Sequence, residues 1–126
     1  MFTILIVEDN LRFSESLRKL LQERFPSSRL AKARNVQEAL AAIDSLHPKV
    51  IFLDVRLPDG NGLDLVERLR AERIDAAIAV MTSHDLPEYR EQALSRGADR
   101  FLVKGSASLS DIFSVVESAI ASRGGD

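Results

Sequence analysis

The stretch Val50-Ile51-Phe52-Leu53-Asp54-Val55 (VIFLDV) decides the fold. Its apolar side chains run on without polar alternation, so it reads as a strand covered on both faces. A carboxylate inside such a run is costly unless something pairs with it, and Asp54 therefore marks a strand end where chemistry is expected. The same kind of strand recurs on either side. Thr3–Val7 (TILIV) and Ala77–Thr82 (AIAVMT) are nearly all apolar, whereas Arg29–Ala33 (RLAKA) and Arg100–Lys104 (RFLVK) carry charges and belong at sheet edges.

Helical periods fill the intervals. Phe13, Leu17, Leu20 and Leu21 share one face, as do Val36, Ala39, Leu40 and Ile43, and Leu109, Ile112, Phe113, Val116 and Ile120 form the clearest stripe. Helix starts are signed by Asn35 with Glu38, Asp85 with Glu88 and Pro87, and Ser108 with Asp111. Gly97 stands where a left-handed C-terminal cap belongs. Strict alternation of strand and helix implies an α/β, doubly wound parallel sheet with right-handed crossovers. The placing of the charged strands gives the order 2-1-3-4-5, with a switch point between the first and third. We assign residues 1–122 to one domain and 123–126 to a flexible tail or the start of a linker.

The 126 residues are 45% hydrophobic, enough for one core. Seventeen basic side chains against 19 acidic ones leave a net charge of −2, which offers no electrostatic footprint for nucleic acid. No cysteine is present, so disulfide frameworks and thiolate sites are excluded. No stretch reaches the length of a membrane span, and Phe2–Val7 lacks the flanks of a secretory signal, so a cytoplasmic protein is expected.

Open α/β sheets bind ligands at the carboxyl ends of their strands. There the first strand is followed by Glu8 and Asp9, the third delivers Asp54, the fourth ends in Thr82 and Ser83, and the fifth in Lys104. Converging carboxylates repel one another, and a hard divalent cation such as Mg²⁺ relieves that repulsion. Lys104 opposite the acids calls for something more, an anion that arrives later. A phosphoryl group on Asp54 answers this, its oxygens shared by the metal, the Lys104 ammonium and the Thr82 hydroxyl. Each residue also has an ordinary reading. Glu8 and Asp9 complement a helix N-terminus, Thr82 and Ser83 serve a turn, and Lys104 is a solvated strand end. Their joint placement favours the site. His84 has no second ligand at metal spacing, His47 belongs to a turn before Pro48, and the Gly60-Asn61-Gly62 segment lacks the spacing of a phosphate-binding loop.

Over nearly its full length the chain resembles the receiver domain of two-component response regulators. The features that carry the resemblance are Glu8-Asp9, the loop Asp54–Gly62 (DVRLPDGNG), Thr82-Ser83, Gly97-Ala98-Asp99 and Lys104. The resemblance implies a flavodoxin-like fold and a phosphoacceptor switch, not an enzyme with turnover, that promotes its own phosphorylation and dephosphorylation. Asp54 takes the phosphoryl group from a sensor histidine kinase, a phosphotransfer protein or a small phosphodonor. Asp9, Asp54 and the Arg56 carbonyl are then the Mg²⁺ ligands, with Glu8 acting through water. Lys104, Thr82 and the Ser83 backbone N–H hold the phosphoryl oxygens, and Thr82 with Phe101 forms the switch. The stretches DVRLP (54–58) and HDLPEY (84–89) resemble the LuxR/NarL-type subset, whose receivers are joined to DNA-binding output domains. Partners implied are therefore a kinase, a downstream protein or output domain, and a homodimer formed on phosphorylation, with no direct nucleic-acid or membrane binding by this domain.

Gly105 departs from the pattern, since many receivers carry a cis proline after the lysine, and a non-proline cis bond costs far more. Two competing readings remain. An aspartyl phosphatase of the haloacid-dehalogenase type would have Asp-x-Asp, but Arg56 occupies the second position. A pseudo-receiver that only binds partners would lack a member of the acid, hydroxyl and lysine set, and none is missing.

Overall fold

The computed structural model describes residues 2–124. Along the chain come β1 (Thr3–Val7), α1 (Leu11–Arg24), β2 (Arg29–Ala33), α2 (Val36–Leu46) and β3 (Val50–Asp54). A short ribbon follows, β4 (Arg56–Leu57) against β5 (Gly60–Asn61), then α3 (Gly62–Ala71), β6 (Ala77–Thr82), α4 (Pro87–Ser95), β7 (Arg100–Val103) and α5 (Leu109–Gly124). The five long strands form one parallel sheet in the order β2-β1-β3-β6-β7. This is the doubly wound order expected from the charged edges.

Residue alternation divides the core in two. Leu5, Val7, Ile51, Leu53, Ile78 and Val80 face α2, α3 and α4, meeting Ala39, Ile43, Leu63, Val66, Leu69 and Ala93. Ile4, Ile6, Val50, Phe52, Ala79 and Met81 face α1 and α5, meeting Leu17, Leu21, Val115, Val116 and Ala119. Every residue of β3 is buried, as a strand covered on both faces must be, and each of its large apolar side chains contributes about 1.5–3 kcal/mol of transfer free energy. The edge strands β2 and β7 expose their charged residues.

β3 and β7 each end one residue before the expected boundary. The N–H of Val55 still donates to the Met81 carbonyl at 3.1 Å, and that of Lys104 to the Thr82 carbonyl at 2.8 Å, so both residues remain tied to the ladder. Asn35 caps α2 by accepting from the Glu38 N–H at 2.8 Å, and Ser108 and Asp111 close a reciprocal box at α5. The start expected at Asp85 is wrong. Pro87 occupies the first helical position, and a residue before proline is held extended, so Leu86 becomes the cap position without a side-chain bond. His47 caps α2 in the left-handed region (φ 48°), and Gly97 follows α4 at φ 118°. Helix α5 runs to Gly124, and residues 125–126 of the expected tail lie outside the described residues.

Candidate functional site

The parallel register brings the strand ends together. Val7 pairs with Leu53 and Asp54 with Met81, so Glu8 and Asp9 emerge beside Asp54, while Thr82 and Lys104 come in from the far side. Carboxylate oxygens of Glu8, Asp9 and Asp54 all lie within 4.8 Å of one another. Glu8 is 1% exposed and Asp54 7%, whereas Asp9 is open to solvent.

Lys104 closes the cluster. Its ammonium donates to Glu8 Oε1 in a short contact and to Asp54 Oδ2 at 3.2 Å. Asn10 adds a backbone N–H to Glu8 Oε2 at 3.0 Å. Burial pushes the Glu8 carboxyl above its ordinary value, against the lowering effect of Lys104 and Asn10, and the Asp54 charge adds to the rise. Burial alone would lower the Lys104 ammonium, but the Glu8 hydrogen bond and the two carboxylate charges raise it. One cation thus neutralises part of a site that stays strongly acidic. The donor set is all oxygen, which suits a hard divalent cation rather than a transition metal.

The hydroxyl of Thr82, 1% exposed, accepts the His84 backbone N–H at 3.0 Å. Ser83 follows it at the surface. Phe101 is buried among Val80, Ala93 and Ala98, with the Arg90 guanidinium 5.0 Å from its ring centre. Arg56 is exposed on β4, and its guanidinium donates to the Tyr89 hydroxyl at 3.3 Å, bridging the loop after Asp54 to α4. The Lys104–Gly105 peptide is trans, and Gly105 takes φ 86°, a region glycine enters freely.

Three residues have roles that sequence reasoning missed. Gly62 donates to the Val55 carbonyl at 2.7 Å and folds the loop directly onto the backbone of Asp54. Asp59 accepts from the Val36 and Gln37 N–H groups at 2.7 and 3.1 Å, tying the same loop to the start of α2. Phe13 presents its ring to Lys104 Nζ at 4.6 Å. The signal for the first two was the loop sequence itself. A cavity of about 670 Å³ lies at the opposite end of the sheet, lined by Lys49, Arg70, Arg73 and Arg100 among others. Of its cations, Arg70 lies in the last turn of α3 and donates to the Ile74 and Gly97 carbonyls at 2.7 and 2.9 Å, a structural role.

Among the described residues no helix is long and apolar enough to cross a membrane. The chain is 36% identical over 104 residues to an uncharacterized response regulatory protein of Yersinia pestis, covering 82% of this chain and 42% of the relative. It is 37% identical over 101 residues to the response regulator MprA of Mycolicibacterium vanbaalenii, covering 80% and 43%. The nitrate/nitrite response regulator NarL of Escherichia coli is 29% identical over 102 residues, covering 81% and 47%. The chain therefore spans about half the length of these relatives. Among solved structures, a response regulator of Burkholderia pseudomallei with a phosphorylated aspartic acid, a calcium ion and citrate superposes with a TM-score of 0.82 at 27% identity, covering 98% of this chain and 72% of that one. The receiver domain of a DNA-binding response regulator from Colwellia psychrerythraea gives 0.85 at 23% identity, covering 93% and 99%, a likeness of fold. The response regulator receiver domain family matches residues 4–117, and with strand order and strand-end residues in agreement, the chain belongs to that family.

Proposed function

We infer that this domain works as a phosphoryl-accepting switch in two-component signalling, with Asp54 as the acceptor. The carrying observation is the crowding of Glu8, Asp9 and Asp54 within 4.8 Å, with Lys104 held 3.2 Å from Asp54 Oδ2. An Asp54 oxygen attacks the phosphorus of a phosphohistidine or a small acyl phosphate. The bond to imidazole or carboxylate breaks, and an acyl phosphate forms on Asp54. Lys104 then pairs with a phosphoryl oxygen, and the Thr82 hydroxyl and the Ser83 N–H donate to the others. Asp9, Asp54 and the Arg56 carbonyl would hold Mg²⁺, with Glu8 acting through water. Bound there, the metal neutralises charge that builds up on the transferring group.

The phosphoaspartate in the Burkholderia pseudomallei structure supports this chemistry. The reading extends to residues 1–122 as the receiver unit of a cytoplasmic regulator that promotes its own phosphorylation and dephosphorylation without turning over a substrate. Its partners are a sensor histidine kinase or phosphotransfer protein and a downstream or DNA-binding output module, with a homodimer formed on phosphorylation.

Intact mass after incubation with acetyl phosphate tests it. Wild type gains one phosphoryl group only with Mg²⁺, and Asp54→Ala gains none. No gain by wild type under any condition would leave a pseudo-receiver that binds partners, and steady hydrolysis of a phosphate ester would make it an enzyme.

A further inference from the structure

The geometry points to Phe13 as a positioning residue for Lys104, its ring face holding the ammonium in place when a divalent cation takes the carboxylates. This rests on the reading of Asp54 as phosphoacceptor. Asn10 caps α1 by accepting the Phe13 N–H at 3.0 Å, which fixes where the half-buried Phe13 leaves the helix. Lys104 reaches the site from β7, its side chain 15% exposed. Its stem adjoins a small apolar cavity of about 40 Å³ lined by Phe13, Met81, Leu102, Val103 and Ile112 among others. Among the described residues the amine has no hydrogen-bond partner besides Glu8 and Asp54. Its charged partners are Glu8 and Asp54, and the third contact is the Phe13 ring at 4.6 Å.

These contacts respond differently to a metal. A divalent cation at Glu8, Asp9 and Asp54 weakens the two ion pairs and repels the ammonium. The ring carries no net charge for the metal to claim, so its attraction for the ammonium persists. Without it, a flexible lysine would swing toward solvent just when a phosphoryl oxygen needs it. With it, the ammonium waits beside Asp54, and its ordering is complete before the phosphoryl group arrives.

The test uses the full chain and two substitutions. Phe13→Leu keeps apolar volume without an aromatic face, and Phe13→Trp supplies a stronger one. In wild type, the Lys104 ε-methylene protons carry an upfield ring-current shift that survives saturating Mg²⁺ and is lost in Phe13→Leu. The rate of phosphorylation by acetyl phosphate at saturating Mg²⁺ falls about five-fold in Phe13→Leu and is restored in Phe13→Trp, with Mg²⁺ affinity unchanged in both. A wild-type rate in Phe13→Leu, or a ring-current shift that Mg²⁺ abolishes, overturns the role while leaving Asp54 as acceptor. A wild-type chain that takes no phosphoryl group overturns both readings, even if the shift is present. Should Phe13→Leu fold poorly, Phe13→Met gives the same comparison.

Discussion

A Cβ placed on Gly62 would lie 2.0 Å from the carbonyl oxygen of Asp54. No real Cβ approaches a backbone oxygen so closely, so the loop after β3 closes over Asp54 only because residue 62 has no side chain. Gly62→Ala therefore has to move backbone, not a flexible neighbour. We expect a loss of about 3 kcal/mol, read from the urea midpoint, with weakened Mg²⁺ binding because Asp54 shifts. Unchanged stability would show that the loop is looser than described.

Lys104→Ala removes the cation from a buried acid. Glu8, 1% exposed, is left without its ion pair, and stability at neutral pH should drop by about 2 kcal/mol or more. Mg²⁺ should bind at least as tightly as in wild type, since a competing positive charge has gone. Phosphorylated Lys104→Ala should fail to engage partners. Normal partner binding by the phosphorylated variant would refute the assigned role.

Phosphorylation should reach α4 through Thr82. That hydroxyl now accepts the His84 N–H, and turning it toward a phosphoryl group frees this contact and opens space next to Phe101. Tyr89 is the sole tyrosine and tryptophan is absent, so its fluorescence and NMR signals report α4 without interference. Both the Tyr89 and Phe101 resonances should move on phosphorylation. If neither does, the Thr82–Phe101 coupling is wrong.

Acid stability offers a separate check. Glu15 is held at about 2, chiefly by its hydrogen bond to Arg18 and then by Lys32, against an ordinary 4.5. An acid with a depressed folded value stabilises above the unfolded value and loses that contribution as pH falls through the folded one. The melting temperature of wild type should exceed that of Glu15→Gln above pH 4.5, and the gap should close towards pH 2. Asp59, also lowered, first by the Val36 N–H, should behave in the same sense, so Asp59→Ala also flattens the acid limb. A gap independent of pH would rule out the Glu15 pairing as its source.

The sheet was legible because burial on both faces leaves a plain mark. TILIV, RLAKA and AIAVMT were located to the residue, and charge on Arg29, Lys32 and Arg100 placed the edges. The start of α4 was misread because a capping pattern at Asp85 competed with Pro87, and the fixed ring geometry of proline won. Asking what ends each strand picks out Asp54, Glu8, Asp9, Thr82 and Lys104, and the fold brings the three acids and the lysine together. That question does not reach the local partners. Glu8 was expected to act on the metal side alone, and its bond to Lys104 joins residues 96 positions apart, which no periodicity reveals. Phe13 looked like one more apolar residue of the α1 stripe, and only the fold shows its ring beside an ammonium.

The pairing of Glu8 with Lys104 joins the first strand of the sheet to the last. A chain cut before residue 104 would therefore leave the buried Glu8 carboxylate without its counter-cation, a cost that only a chain carrying the end of β7 removes.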